Sequence, residues 1–203
     1  MMRRSLLPAA LALIVGVIGS AVPAAAAADP AALIDDLGNR ALAVLGKNVA
    51  PGEREARFRE LFHQDFDVPG IARFVLGRYW RVATAPQQQE FVRLFAEYIA
   101  LAYSNRLAEY SGETLKVTGS RAEPDGPVVA SEIIRPNGAP PAKVDWRLTR
   151  SDDGYKISDV VVEGISMAVT QRSEFASVIQ RHGGQVQGLI EVLREKVASA
   201  GTR

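Results

Sequence analysis

Cysteine is absent from the 203 residues, so no disulfide, thiolate metal centre or thioester chemistry is available to the chain. Histidine is scarce: His63 and His182 are the only two, and nothing in the sequence sets one beside the other. A zinc site built on paired histidines is therefore not expected. No apolar run reaches bilayer-spanning length. The longest, Leu6 to Ile18, is 13 residues, against about 20 for a spanning helix. Charge of one sign is lacking too, because 24 basic residues meet 23 acidic ones. That balance speaks against nucleic acid as a partner. Glycine-rich phosphate loops are also missing.

What is present begins with an export signature. Arg3-Arg4, the apolar run and then AVPAAAAAD reproduce the charged, apolar and small-residue zones of a secretory signal peptide. Residues 1–28 are read as that peptide, with cleavage between Ala26 and Asp29; an uncleaved anchor is the alternative. Residues 29–203 are read as one domain. Removing Arg3 and Arg4 takes the basic count to 22 against 23 acidic, a mature charge of about −1. Without cysteine there is no lipidation site at the cleavage point, so a soluble exported protein is expected. Its stability must come from a core, and a domain of this size buries roughly 70% of its unfolded surface.

Periodicity then divides the chain. Leu33, Ile34, Leu37, Ala41, Val44 and Leu45 recur at helical spacing from Pro30 to Lys47. A second helix carries Phe58, Leu61 and Phe62. A third opens at Asp67-Val68-Pro69 and ends at Gly77. Thr84 and Gln87 form a capping box for a long helix expected to run to about Tyr110. Its stripe is Phe91, Leu94, Phe95, Tyr98, Ile99, Ala102, Tyr103 and Leu107. Four strands follow: Thr114 to Arg121, Val128 to Arg135, Ala142 to Arg150, and one starting at Tyr155. In the third, Val144, Trp146 and Leu148 share a face. In the fourth, strict alternation sets Tyr155, Ile157, Asp159 and Val161 on one side and Lys156, Ser158, Val160 and Val162 on the other. Two helices close the chain, one after Met167 and one carrying Leu189, Ile190, Leu193 and Val197. The expected class is α+β: a twisted four-stranded antiparallel sheet wrapped by several helices.

No catalytic constellation emerges. His63-Gln64-Asp65-Phe66-Asp67 has too few ligands for a metal. Gly164-Ile165-Ser166-Met167-Ala168 lacks the last glycine of a nucleophile elbow, and Ser166 reads better as a helix cap. Arg78, Arg81 and Arg93 are scattered, and no arginine cluster is expected. No cofactor and no metal are implied.

An ordered set of motifs carries a resemblance. They are VLGRYWR at Val75–Arg81, Ala83-Thr84, Phe95 with Tyr98, Ala102-Tyr103, Tyr110-x-Gly112-x-Thr114 and Arg135-Pro136-Asn137-Gly138-x-Pro140-Pro141. The last is the run from Tyr155 through Ile157, Asp159 and Val162-Glu163-Gly164-Ile165-Ser166-Met167 to Gln171-Arg172-Ser173-Glu174-Phe175. From about Ile71 to Lys196 the chain resembles the MlaC (toluene-tolerance) family of periplasmic lipid-binding proteins, auxiliary components of lipid-transporting ABC systems. Its nearest look is to the hopanoid-associated HpnM branch. Tyr155 replaces a usual Trp, and Thr170-Gln171 a frequent Asn-Tyr, which leaves the branch open.

The resemblance implies a deep apolar pocket, a phospholipid or hopanoid ligand and no enzymatic activity. It also implies exchange with an inner-membrane MCE-domain/ABC transporter and with an outer-membrane lipoprotein complex. The residues expected to line the pocket are Phe74, Trp80, Phe95, Ile99, Tyr103, Trp146, Val161, Ile165 and Met167. Arg172 is expected to pair with Glu163 or to face a partner. The alternatives are a transporter adaptor that carries nothing, for which a filled core would speak, and a lipid-acting enzyme, which would need a polar dyad in the pocket.

Overall fold

A computed structural model describes residues 29–45, 49–107 and 112–200. The expected signal peptide and the expected end of the long helix near Tyr110 lie outside those residues. Six α-helices are described: α1 Pro30–Leu45, α2 Pro51–Asp65, α3 Val68–Leu76, α4 Ala85–Leu107, α5 Met167–Arg181 and α6 Val186–Ala200. A 3₁₀ turn, Gly77–Arg81, joins α3 to α4. The strands are β1 Thr114–Glu123, β2 Gly126–Ile134, β3 Ala142–Ser151, β4 Gly154–Val162 and β5 Ile165–Ser166. They form one antiparallel sheet in sequence order. No described helix is long and apolar enough to cross a membrane.

Local chemistry explains several boundaries. The Thr84 amide donates to Gln87 Oε1 at 3.0 Å while the Gln87 amide donates to Thr84 Oγ1 at 3.4 Å, so the capping box opens α4. Asp67 accepts from the Gly70 amide at 3.0 Å and opens α3, with Pro69 in the first turn. At 23 residues α4 is about 35 Å long. Within the helical layer it is the central helix: α2 and α6 flank it, and α3 and α5 close the layer, while α1 packs on the sheet. Arg59 ties α2 to Glu97 at 2.9 Å, and the Arg194 fork ties α6 to Glu90 at 2.6 and 2.7 Å.

Apolar burial is divided into two bodies. The larger joins α2 through α6, where Phe62, Phe91, Phe95 and Phe175 pack with Ile179 and Ile190. The smaller lies between α1 and the sheet, where Ile34 and Leu37 meet Val129, Leu148 and Ile157. The joint between α2 and α3 is pinned to β4: Phe66 bridges Ile157, and the Asp67 amide donates to the Ile157 carbonyl at 2.9 Å.

Two details depart from the expected four-strand sheet. β4 does not run straight into α5. Glu163 and Gly164 both adopt left-handed backbone, φ 50° and 80°, and make a two-residue hairpin into β5. Glu163 tolerates that conformation because it is held twice by Lys143, its amide donating to the Lys143 carbonyl at 3.0 Å and its Oε1 accepting from the Lys143 amide at 2.6 Å. The second departure is a bulge in β4. Leu148 faces Ile157, but Arg147 already faces Asp159, so Ser158 is the extra residue.

Candidate functional site

The bulge decides which side chains of β4 turn inward. β3 alternates without interruption, and Val144, Trp146 and Leu148 stand opposite Val162, Val160 and Ile157. Ile157, Val160 and Val162 therefore share one face, which strict alternation would split. Val161 stands opposite Asp145 on the other face, where Asp145 is engaged by Arg121 at 2.9 Å.

A cavity of about 560 Å³ lies between that face and the helices. Phe58, Phe62 and Phe66 wall it from α2 and its end, Ile71 and Val75 from α3, and Phe95, Ile99 and Tyr103 from α4. Trp146, Val160 and Val162 form its sheet side, and Ile165, Met167 and Ala168 its strand–helix corner. Polar groups sit among these as Ser158, Asp159, Glu163 and Gln171. The two carboxylates are already employed. Asp159 accepts from the Ser166 hydroxyl at 2.6 Å and the Ala168 amide at 3.0 Å, while Glu163 holds Lys143.

Ser166 in turn accepts from the Val169 amide at 3.0 Å, which is the helix cap its position implied. Its hydroxyl proton goes to Asp159, and no histidine stands behind it in the manner of a nucleophile. In the His63 segment, Asp65 holds Arg40 and Asp67 caps α3. Among the described residues no three metal-ligating side chains converge.

Of the nine residues expected to line a pocket, Phe95, Ile99, Tyr103, Trp146, Ile165 and Met167 line this cavity. Val161 does not, because of the bulge. Phe74 and Trp80 border a separate groove on the outer side of α3. Phe58 and Phe62 of α2 and Phe66 just after it were not among the expected lining residues, although their recurrence every four residues is a signal for a shared face. Their rings meet in succession, with centroids 6.3 and 4.9 Å apart, and Phe58 also stacks on Tyr103.

Trp146 is aimed by a relay within the sheet. Its Nε1–H donates to Ser131 Oγ at 2.9 Å, and that buried hydroxyl donates to the Val144 carbonyl at 3.2 Å. Ser131→Ala should leave the indole N–H unsatisfied and cost about 1–3 kcal/mol. Urea unfolding, with tryptophan emission to follow the ring, measures this; an unchanged midpoint would mean that the relay does not hold the ring.

The outer groove, about 480 Å³, corrects the expectation of no arginine cluster, although Arg93 does not line it. Arg73 reaches it from α3, Arg78 and Arg81 from the 3₁₀ turn, and Arg172 from α5. Residues three apart eclipse in a 3₁₀ helix, which brings Arg78 and Arg81 to one side. Arg172 does not pair with Glu163. Its guanidinium lies over the Phe74 ring, 5.2 Å from the centroid. Between groove and cavity lies a third cleft, sharing Gly70 and Phe74 with the first and Ile71, Ser158, Asp159 and Ala168 with the second.

The family described as MlaC protein matches residues 35–195. The toluene tolerance protein ttg2D of Pseudomonas putida is 30% identical over 66% of this chain and 63% of its own length. The intermembrane phospholipid transport system binding protein MlaC of Haemophilus influenzae is 26% identical over 54% of this chain and 53% of its own. The chain thus spans between half and two thirds of the length of these curated relatives. A solved phospholipid-binding protein from Ralstonia solanacearum, in complex with a phospholipid, superposes with a TM-score of 0.72 at 28% identity, covering 86% of this chain and 99% of that one.

Proposed function

Because the chain belongs to the MlaC family, a family of binding proteins, we propose that it is a periplasmic lipid carrier whose cavity holds the acyl chains of a phospholipid. The observation that carries this reading is the 560 Å³ space walled by aromatic and aliphatic side chains from α2, α3, α4, β3 and β4. Its volume lies within the range of about 300–1,000 Å³ typical of small-ligand sites. A non-carrying adaptor would be favoured by a filled core, and this space is unfilled by side chains. A lipid-acting enzyme would need free polar groups in the cavity, whereas Asp159 and Glu163 are bound into the framework of the corner.

The physical requirement for a carrier follows from the cost of wetting the tails. Each methylene kept from water is worth about 0.8 kcal/mol, so acyl chains do not cross an aqueous compartment unaided at a useful rate. A protein that encloses the chains removes that barrier. Its place between two membranes supplies the partners: an inner-membrane MCE-domain/ABC transporter and an outer-membrane lipoprotein complex. Similarity to the named phospholipid-binding relatives supports phospholipid as the cargo. The resemblance to the hopanoid-associated branch makes a hopanoid the specific competitor.

The test is mass spectrometry of lipid extracted from protein purified from its own periplasm without detergent. About one phospholipid per chain is the expected result. A hopanoid in its place would reassign the cargo. Protein that is folded and empty would refute the carrier and leave the adaptor.

A further inference from the structure

The arginine groove is not used by the cavity, and it has the makings of a second site. Four guanidinium groups line it and no carboxylate does. Among the described residues, none of the four is in an ion pair. Elsewhere Arg40, Arg59, Arg121 and Arg194 are neutralised by carboxylates.

Two of the four are held in place. Arg78 donates from Nη2 to the Tyr79 hydroxyl at 2.9 Å and lies over that ring. Arg172 is sandwiched between the Phe74 ring and the backbone of Gly77. A Cβ at Gly77 would stand 2.8 Å from Arg172 Nε, and the backbone there has φ 57°, so glycine serves both the turn and the approach. Cations gathered in one concavity without counter-charge repel one another. An entering anion relieves that repulsion and meets donors already oriented, which lowers the entropy lost on binding.

We propose that this groove is an oxyanion site that takes a phosphoryl group, either the headgroup phosphate of a phospholipid or free phosphate. Planar guanidinium forks match the oxygens of phosphate bidentately, and a phosphoryl group offers enough oxygens for several forks at once. Trp80 and the 42%-exposed Phe74 furnish an apolar rim. That combination suits a phosphate carried on a glycerol backbone. The site is independent of what fills the cavity.

The experiment titrates the isotope-labelled, detergent-free protein with inorganic phosphate while NMR follows the arginine Nε–Hε resonances. Saturable shifts are expected at Arg73, Arg78, Arg81 and Arg172. The double variant Arg73→Gln/Arg172→Gln should weaken binding about tenfold or more, and the exposed Arg181→Gln should leave it unchanged. A second arm measures cosedimentation with vesicles of phosphatidylglycerol in phosphatidylcholine. Vesicle binding that the double variant loses and free phosphate competes away assigns the phosphate to a headgroup. Phosphate binding without vesicle binding assigns it to the free ion. No saturable shift at these arginines and no vesicle binding, or equal affinity in the double variant, overturns the site. Thermal unfolding and the lipid content of the double variant are read alongside. Lost phosphate binding with retained lipid separates this site from the cavity.

Discussion

Filling the cavity from two sides should strip the protein of lipid while leaving it folded. Ile99 on α4 and Val160 on β4 face the same space, and Ile99→Trp/Val160→Trp would occupy part of it with two indoles. Each methylene displaced from the cavity forfeits about 0.8 kcal/mol, so two displaced methylenes already weaken binding about tenfold. A longer exclusion would abolish copurification altogether. Overpacking costs about 1–3 kcal/mol where a core is full, and the open volume here keeps the cost at the lower end. The readouts are lipid-to-protein ratio by mass spectrometry and thermal unfolding. Val161→Thr on the opposite face of β4 is the control and should retain its lipid. A double variant that carries the wild-type complement of lipid would mean that the lipid is held elsewhere.

Arg40→Ala should be among the most destabilising single changes outside the apolar core. Asp65 is only 4% exposed and ends α2, where the helix dipole disfavours a negative charge. Its two oxygens receive the Arg40 fork at 2.9 and 2.7 Å, and Arg40 also binds Asp36 at 2.7 Å. The guanidinium pKa is raised above its ordinary value, chiefly by the Asp65 hydrogen bonds, with burial opposing. Removing the arginine leaves a buried carboxylate without its counter-charge; a fully buried pair loses about 3–5 kcal/mol, and the 30% exposure of the Arg40 side chain brings the expected cost to about 2–3 kcal/mol. Neutralising the carboxylate as well, in Arg40→Ala/Asp65→Asn, should recover part of that loss. Urea unfolding of the three proteins measures both effects. A loss below about 1 kcal/mol would class the pair with ordinary surface ion pairs.

The consequence reaches the site, because Asp65 is followed by Phe66, which both bridges β4 and walls the cavity. Destabilisation at this joint should therefore loosen the wall formed by the end of α2. The same dependence explains why a cavity in this fold is not a matter of apolar residues alone. Its walls come from several elements, and an ion pair outside the lining holds the end of one of them to α1.

Much of this arrangement was legible in the amino-acid order because the relevant forces are local. Thr84 and Gln87 sit three residues apart and satisfy each other's amides. Asp67 and Ser166 cap helices through bonds that span three residues. The stripe on α4 and the shared face of Val144, Trp146 and Leu148 follow from fixed helical and strand periods. Six of the nine expected lining residues consequently reach the cavity. The family motifs, too, are read along the chain.

Tertiary structure decided the rest, for reasons that periodicity does not contain. The bulge at Ser158 depends on how β4 meets β3, and one extra residue moved Val160 and Val162 inward and Val161 outward. The short β5 exists because Lys143, twenty residues away, holds Glu163 in left-handed backbone. Phe74 left the cavity for the groove because α3 turns Ile71 and Val75 inward instead, and Trp80 borders the same groove from the 3₁₀ turn. Arg172 joins Arg73, Arg78 and Arg81 only when α5 packs on α3, a distant segment of the sequence. Apolar pattern and caps determined which segments are helices and strands. Where the inside lies, whether it is filled, and which charges share a surface were determined by contacts between segments, because burial and electrostatic proximity are properties of space and not of sequence separation.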